Sequence, residues 1–139
     1  MNSHLKFHHF GLAVRRPDQA MTFARSLGYT IGEPVFDPEQ NVHLAMCDHK
    51  SEPALELIWP GNLKGPIDAL VQRHTSGIIY HACYVTRNLA EALVAFEANG
   101  VTPICVSPPK PALLFNGKRV SFYNIPGIGL VEILEDSPV

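Results

Sequence analysis

The sequence lacks the features that mark membrane, nucleic-acid-binding and disulfide-rich proteins. Its apolar runs fall far short of the roughly eighteen residues of a membrane span, and residues 1–6 lack the apolar core of a signal peptide. No run of basic residues occurs, and the net charge is −2, so nothing points to a nucleic-acid partner. Cys47, Cys83 and Cys105 are widely spaced and form no CxxC pair. We therefore expect reduced core cysteines in a cytoplasmic protein.

What the chain does contain fits one compact domain. Its 139 residues suffice to bury about two-thirds of the extended surface, and an apolar fraction of 46% is ordinary for a globular protein. We interpret it as a single domain made of two modules, residues 4–60 and 78–135, joined by a connector at 61–77.

The two halves of the chain repeat the same spacing between a histidine and a glycine. His9 is followed nineteen positions later by Gly28, and His81 is followed nineteen positions later by Gly100. Each half then ends with a glutamate inside an apolar run, Glu56 in the first and Glu132 in the second. Two histidines and two carboxylates in matched places predict one site built from two repeated units.

Hydrophobic alternation and turn residues predict the order β-α-β-β-β in each half, which is an α+β fold. The first half has strands at 4–14, 29–36, 41–47 and 53–59, with a helix from Pro17 to Gly28. The second has strands at 78–86, 101–106, 118–124 and 129–135, with a helix at 88–99 capped by Asn88. A short helix is expected near 66–74. Because prolines cannot donate to a sheet, we expect residues 107–111 to form an extended loop.

Strand alternation separates His9 from its neighbour His8. Side chains of consecutive strand residues point to opposite faces, so His8 shares a face with the bulky Phe10 and Leu12, and His9 shares one with the small Gly11. We expect the bulky face to pack under the helix and His9 to lie over an open surface. The glutamates are costly to bury unless they are paired or bind a cation. Separate local partners for each residue remain the alternative to a shared metal site.

These features resemble the vicinal-oxygen-chelate superfamily, which includes glyoxalase I and methylmalonyl-CoA epimerase. The resemblance rests on the repeated modules, on His9-Phe-Gly-Leu-Ala-Val, and on residues 56–60, 65–67 and 77–81, which are similar to the epimerase pattern. It implies two modules that form a half-open barrel around a divalent cation. The implied metal ligands are His9, Glu56, His81 and Glu132.

The chain departs from both named members of the superfamily. Some bacterial epimerases carry a further carboxylate in the third strand, proposed as a second catalytic base, and Leu44 stands at that place. The glutathione-binding arginine of glyoxalase I is absent from the first strand, where Leu12 and Ala13 occur instead.

The implied ligand set suits nickel, cobalt, zinc, manganese or iron. The predicted function is a metal-dependent epimerase or isomerase that removes an α-proton from a small acyl thioester and stabilises the enolate, as methylmalonyl-CoA epimerase does. Glu132 is the favoured base and Glu56 the second choice. The alternatives are a lyase, lactoylglutathione lyase-like or from a specialised pathway, and a metal-free protein that binds a small molecule such as an antibiotic.

The residues expected to bind substrate lie in the proline-rich segment or shortly after it. Lys110, Lys118 and Arg119 could hold a carboxylate or a CoA phosphate, and Phe115 could form an apolar wall over the substrate. A small-molecule substrate is the expected partner, with no nucleic acid and no membrane, and a homodimer is left open.

Overall fold

A computed structural model describes residues 1–136, which divide into two compact units. One unit is residues 9–80, and the other combines residues 1–8 with the chain from residue 81 onward. Strands β1 (Lys6–Ala13) and β6 (Ile78–Thr86) each contain a point of division. His9 is therefore the first residue of one unit, and His81 begins the second segment of the other.

The unit of residues 9–80 is a mixed sheet with a helix on each face. Besides its part of β1 it contains α1 (Asp18–Ser26), β2 (Thr30–Ile31), β3 (Val35–Asp37), β4 (Val42–Asp48), β5 (Ala54–Pro60) and α2 (Asp68–Arg73). Strand β4 pairs antiparallel with β2, β3 and β5, and β1 pairs parallel with β5. Residues of α1 pack on the face of Leu57, and residues of α2 pack on the face of Ile58. Glu56 shares the second face by alternation.

The unit of residues 1–8 and 81–136 follows the predicted β-α-β-β-β order. After β6 come α3 (Leu89–Ala98), β7 (Ile104–Pro111), a 3-10 turn (Leu113–Phe115), β8 (Arg119–Ile125) and β9 (Gly129–Glu135). The side chain of Asn88 accepts a hydrogen bond from the backbone N–H of Glu91 at 3.1 Å, which is the predicted helix cap. Helix α3 packs on the face that carries Val131 and Ile133, so Glu132 faces the opposite side.

Two predicted elements were wrong in detail. The strand expected at 29–36 is interrupted between β2 and β3, where the backbone of Gly32 lies so close to β4 that an added Cβ would be 2.8 Å from the carbonyl oxygen of Met46. The segment 107–111 is not a loop, because β7 extends to Pro111 and pairs with β8. It tolerates prolines since it is the edge strand of this unit and its pairing shifts register twice.

The predicted α+β class with two repeated modules is confirmed. Among the cysteines, Cys47 and Cys83 are buried as expected, whereas Cys105 is exposed on the edge strand β7, so its assignment to the core was wrong. Within residues 1–136, every helix is too short or too polar to cross a membrane.

Candidate metal centre

The first histidine–glutamate pair lies on the parallel strands β1 and β5. Gly11 is the register partner of Glu56, and His9 precedes Gly11 by two residues on the same face. The His9 Nε2 atom lies 4.0 Å from a carboxylate oxygen of Glu56. Both residues are buried, with exposures of 0% and 4%.

The second pair repeats this register on β6 and β9, which are also parallel. Cys83 is the register partner of Glu132, and His81 precedes Cys83 by two residues. The His81 Nε2 atom lies 3.5 Å from a carboxylate oxygen of Glu132, and the two residues are 3% and 4% exposed. The repeat seen in the sequence is therefore also a repeat in strand register and in burial.

Each pair by itself has a geometry that suits a divalent ion. Both nitrogen–oxygen distances, 4.0 and 3.5 Å, exceed the usual length of a hydrogen bond, about 2.7–3.2 Å. Ligand atoms at about 2.0–2.2 Å from one ion are separated by no more than about 4.4 Å, which both pairs satisfy. Imidazole nitrogen and carboxylate oxygen are suitable donors for first-row metals. A bound cation would also offset the cost of burying each carboxylate.

Two histidines, His8 and His81, each have an aromatic neighbour. The ring of His8 meets that of Phe115 edge-on, with 5.8 Å between centroids. The ring of His81 meets that of Phe122 in the same way, at 5.7 Å. Phe122 is also the register partner of Glu132. Sequence reasoning missed this residue, although counting outward from the β8–β9 turn would have placed it opposite Glu132.

Among the basic residues expected to bind substrate, Lys118 and Arg119 contact carboxylates of their own unit, and Lys110 is exposed. The side chain of Lys118 donates to Asp136 at 2.6 Å, and this hydrogen bond, reinforced by the lysine charge, lowers the pKa of the Asp136 carboxyl. Arg119 donates to Glu135 at 2.8 Å. Strand alternation puts Arg119 on the face opposite Glu132. Lys110 is exposed and pairs in register with Val120, whose face is that of Glu132.

The third strand of the first module, β4, presents no acid beside Glu56. Met46 is the register partner of Glu56, and Leu44 is the partner of Ile58. By alternation Val42 and Asp48, the exposed last residue of β4, complete this face of the strand. The apolar character expected at Leu44 therefore extends to Val42 and Met46, and the acid on this face of β4 stands at the end of the strand rather than opposite Glu56.

Residues 8–122 match the family model described as the glyoxalase/bleomycin resistance protein/dioxygenase superfamily. The match spans most of the chain, so the chain belongs to this superfamily. It is 26% identical over 118 residues to the mitochondrial methylmalonyl-CoA epimerase of Dictyostelium discoideum, covering 84% of this chain and 69% of that protein.

Solved structures share the fold at low sequence identity. A hypothetical protein of Bacillus halodurans is 23% identical with a TM-score of 0.78, over 97% of this chain and 96% of that one. A variant of methylmalonyl-CoA epimerase from Streptomyces coelicolor, in complex with 2-nitronate-propionyl-CoA, is 20% identical with a TM-score of 0.72, over 96% of each chain. These likenesses establish the fold alone.

Proposed function

We propose that this protein is a metal-dependent epimerase or isomerase that removes the α-proton of a small acyl thioester, like a methylmalonyl-CoA epimerase. In this proposal His9, Glu56, His81 and Glu132 bind one divalent cation. The observation that carries it is the repeated register: in each unit a buried histidine lies two residues before the strand partner of a buried glutamate. The relationship to the Dictyostelium epimerase supports the reaction class.

The balance of charge favours one shared ion. Two neutral imidazoles and two carboxylates balance the charge of a divalent cation.

The bound cation would polarise a substrate carbonyl and stabilise the enolate. Glu132 is assigned as the base that takes the α-proton. Its unit supplies a cation that can hold an anionic substrate on the same face, since Lys110 is the register partner of Val120, and Val120 is in turn the partner of Leu134. Lys110, Lys118, Arg119 and Phe115 remain the proposed substrate-binding residues, with Lys110 the best placed.

An epimerase must also return a proton to the opposite face of the planar carbon. Since Met46, and no acid, is the residue of β4 opposite Glu56, the second role is assigned to Glu56. A lyase or isomerase that needs a single base is the second candidate, and the apolar partner of Glu56 on β4 favours it.

Metal analysis of protein purified without an affinity tag tests the site. We expect one divalent ion per chain, lost in His81→Ala and Glu132→Ala while the circular dichroism spectrum is retained. His74→Ala and Glu91→Ala are matched controls outside both pairs and should keep the ion. A wild-type protein without a stoichiometric ion would refute the proposed metal site.

Solvent-deuterium exchange at the α-carbon of methylmalonyl-CoA tests the reaction. The metal-loaded protein should catalyse exchange, and Glu132→Gln should lower the rate by about a hundredfold or more, since general bases commonly contribute that much. Glutamine keeps an oxygen donor, so metal content measured in parallel separates loss of the base from loss of the ion. Metal-loaded protein that gives no exchange would remove the epimerase assignment and leave the lyase.

A further inference from the structure

We propose that the unit of residues 9–80 has a second ligand site, in which Arg15 and Arg16 bind the phosphate of a nucleotide and Phe23 stacks on its base. The site lies where β1 leads into α1. It uses none of the proposed metal ligands, so the inference goes beyond the proposed function and does not rest on it.

Three neighbouring cavities share residues and together form what we call the arginine groove. The central cavity, of about 800 Å³, is lined by Arg15, Arg16 and Phe23, and by Thr75 and Ser76 of the segment before β6. A second cavity of about 300 Å³ shares both arginines, and a third of about 460 Å³ shares Phe23. The central volume alone lies within the range of about 300–1,000 Å³ usual for small-molecule sites.

The two arginines are available to an anionic ligand. Both are exposed, and within residues 1–136 neither forms an ion pair or donates a side-chain hydrogen bond to the protein. A guanidinium presents a planar set of N–H donors that matches the oxygens of a phosphate. Two such groups side by side, both lining the same two cavities, favour a phosphate over a neutral ligand.

Phe23 supplies an aromatic surface at a suitable distance from the arginines. Its side chain is 64% exposed, and the inward-facing side of α1 is formed by other residues, Ala20, Met21 and Ala24. Phe23 lies seven positions after Arg16, and the helical part of this stretch, from Asp18 onward, spans about 7.5 Å. An exposed aromatic ring of this kind can stack on any of the nucleobases. Asp18 also lines the central cavity, where its carboxylate can accept a hydrogen bond from a ribose hydroxyl.

Calorimetric titration with ADP, adenosine and inorganic phosphate tests the proposal. ADP should bind more tightly than adenosine, and the double variant Arg15→Ala/Arg16→Ala should weaken ADP about tenfold or more, because charge-assisted hydrogen bonds to phosphate are lost. Arg25→Ala/Arg73→Ala removes the same charge outside the groove and should change the affinity by less than about twofold. Phe23→Ala should weaken ADP and adenosine alike while leaving phosphate unchanged.

The nucleotide could be free or could be the phosphorylated end of a CoA thioester, and titration with CoA separates the two. A CoA affinity that falls in the arginine double variant supports the CoA source; a CoA affinity that does not change, while that of ADP falls, supports a free nucleotide. Equal ADP affinity in the wild type and the double variant would overturn the proposal, as would the absence of ADP binding. Because His81→Ala should retain ADP binding, failure of the metal site and failure of this site are distinguishable.

Discussion

Cys47 offers a quantitative test of the fold around Glu56. It lies on β4 with no exposed surface, packed with Ala45 and Leu57. Burial, aided by the charge of Asp48, raises the pKa of its thiol from 9.0 to about 11. At pH 8 this reduces the thiolate fraction about a hundredfold relative to a thiol of ordinary pKa. A more basic thiolate is also a better nucleophile, and this gain of about tenfold offsets part of the hundredfold loss of thiolate. Cys47 should therefore react at least about tenfold more slowly than a thiol of ordinary pKa.

Labelling of the native protein with iodoacetamide, resolved by peptide mass spectrometry, measures this rate. The exposed Cys105 is the internal reference, and both cysteines should react alike in urea. Because folding raises the pKa of Cys47, its neutral thiol contributes to the free energy of unfolding. This contribution is fully present below about pH 9 and is lost as the pH rises through about 11. Native labelling of Cys47 as fast as that of Cys105 would refute the burial of β4.

Two further predictions concern polar contacts outside the proposed metal site. Lys118→Ala should raise the pKa of Asp136 towards its ordinary value, as measured by NMR titration, whereas Lys110→Ala should not. Because the pKa of Asp136 is depressed in the folded protein, its contact with Lys118 stabilises the fold at neutral pH. This stabilisation is lost as the pH falls through the pKa of Asp136. His49→Ala should lower the free energy of unfolding in urea by about 2 kcal/mol, because three hydrogen bonds between its ring and the backbone are lost: Nε2 donates to the carbonyl oxygen of Leu27, and Nδ1 accepts from the N–H groups of Ser51 and Glu52. His74→Ala, whose side chain makes no hydrogen bond within residues 1–136, should change it little, and equal effects would contradict the assignment.

The sequence was most informative where one local rule determined the structure. Alternation along β1 separates His9, which lies beside Glu56, from His8, which meets Phe115. The cap at Asn88 follows from the same kind of local chemistry, since an amide oxygen can satisfy a backbone N–H of the first helical turn.

Features that depend on partners distant in sequence could not be predicted in this way. Proline at 108–111 argues against a strand in general, but an edge strand with shifted register tolerates it, and edge position is a property of the whole sheet. The contact of Phe122 with His81 likewise depends on which face β8 presents beside β9. Among the proposed substrate residues, the partners of Lys118 and Arg119 are carboxylates near the end of β9, which no motif indicates.

The division of the chain at His9 and His81 has a consequence for how the protein folds during synthesis. All of residues 9–80 form one unit, so its sheet and both of its helices can assemble as soon as this stretch has left the ribosome. The first eight residues belong to the other unit, so we expect their packing to be completed only after β9, which ends at Glu135, has been made. We therefore expect the N-terminal segment to be synthesised first but to be among the last to pack. The two histidine–glutamate pairs should then form at different times during synthesis.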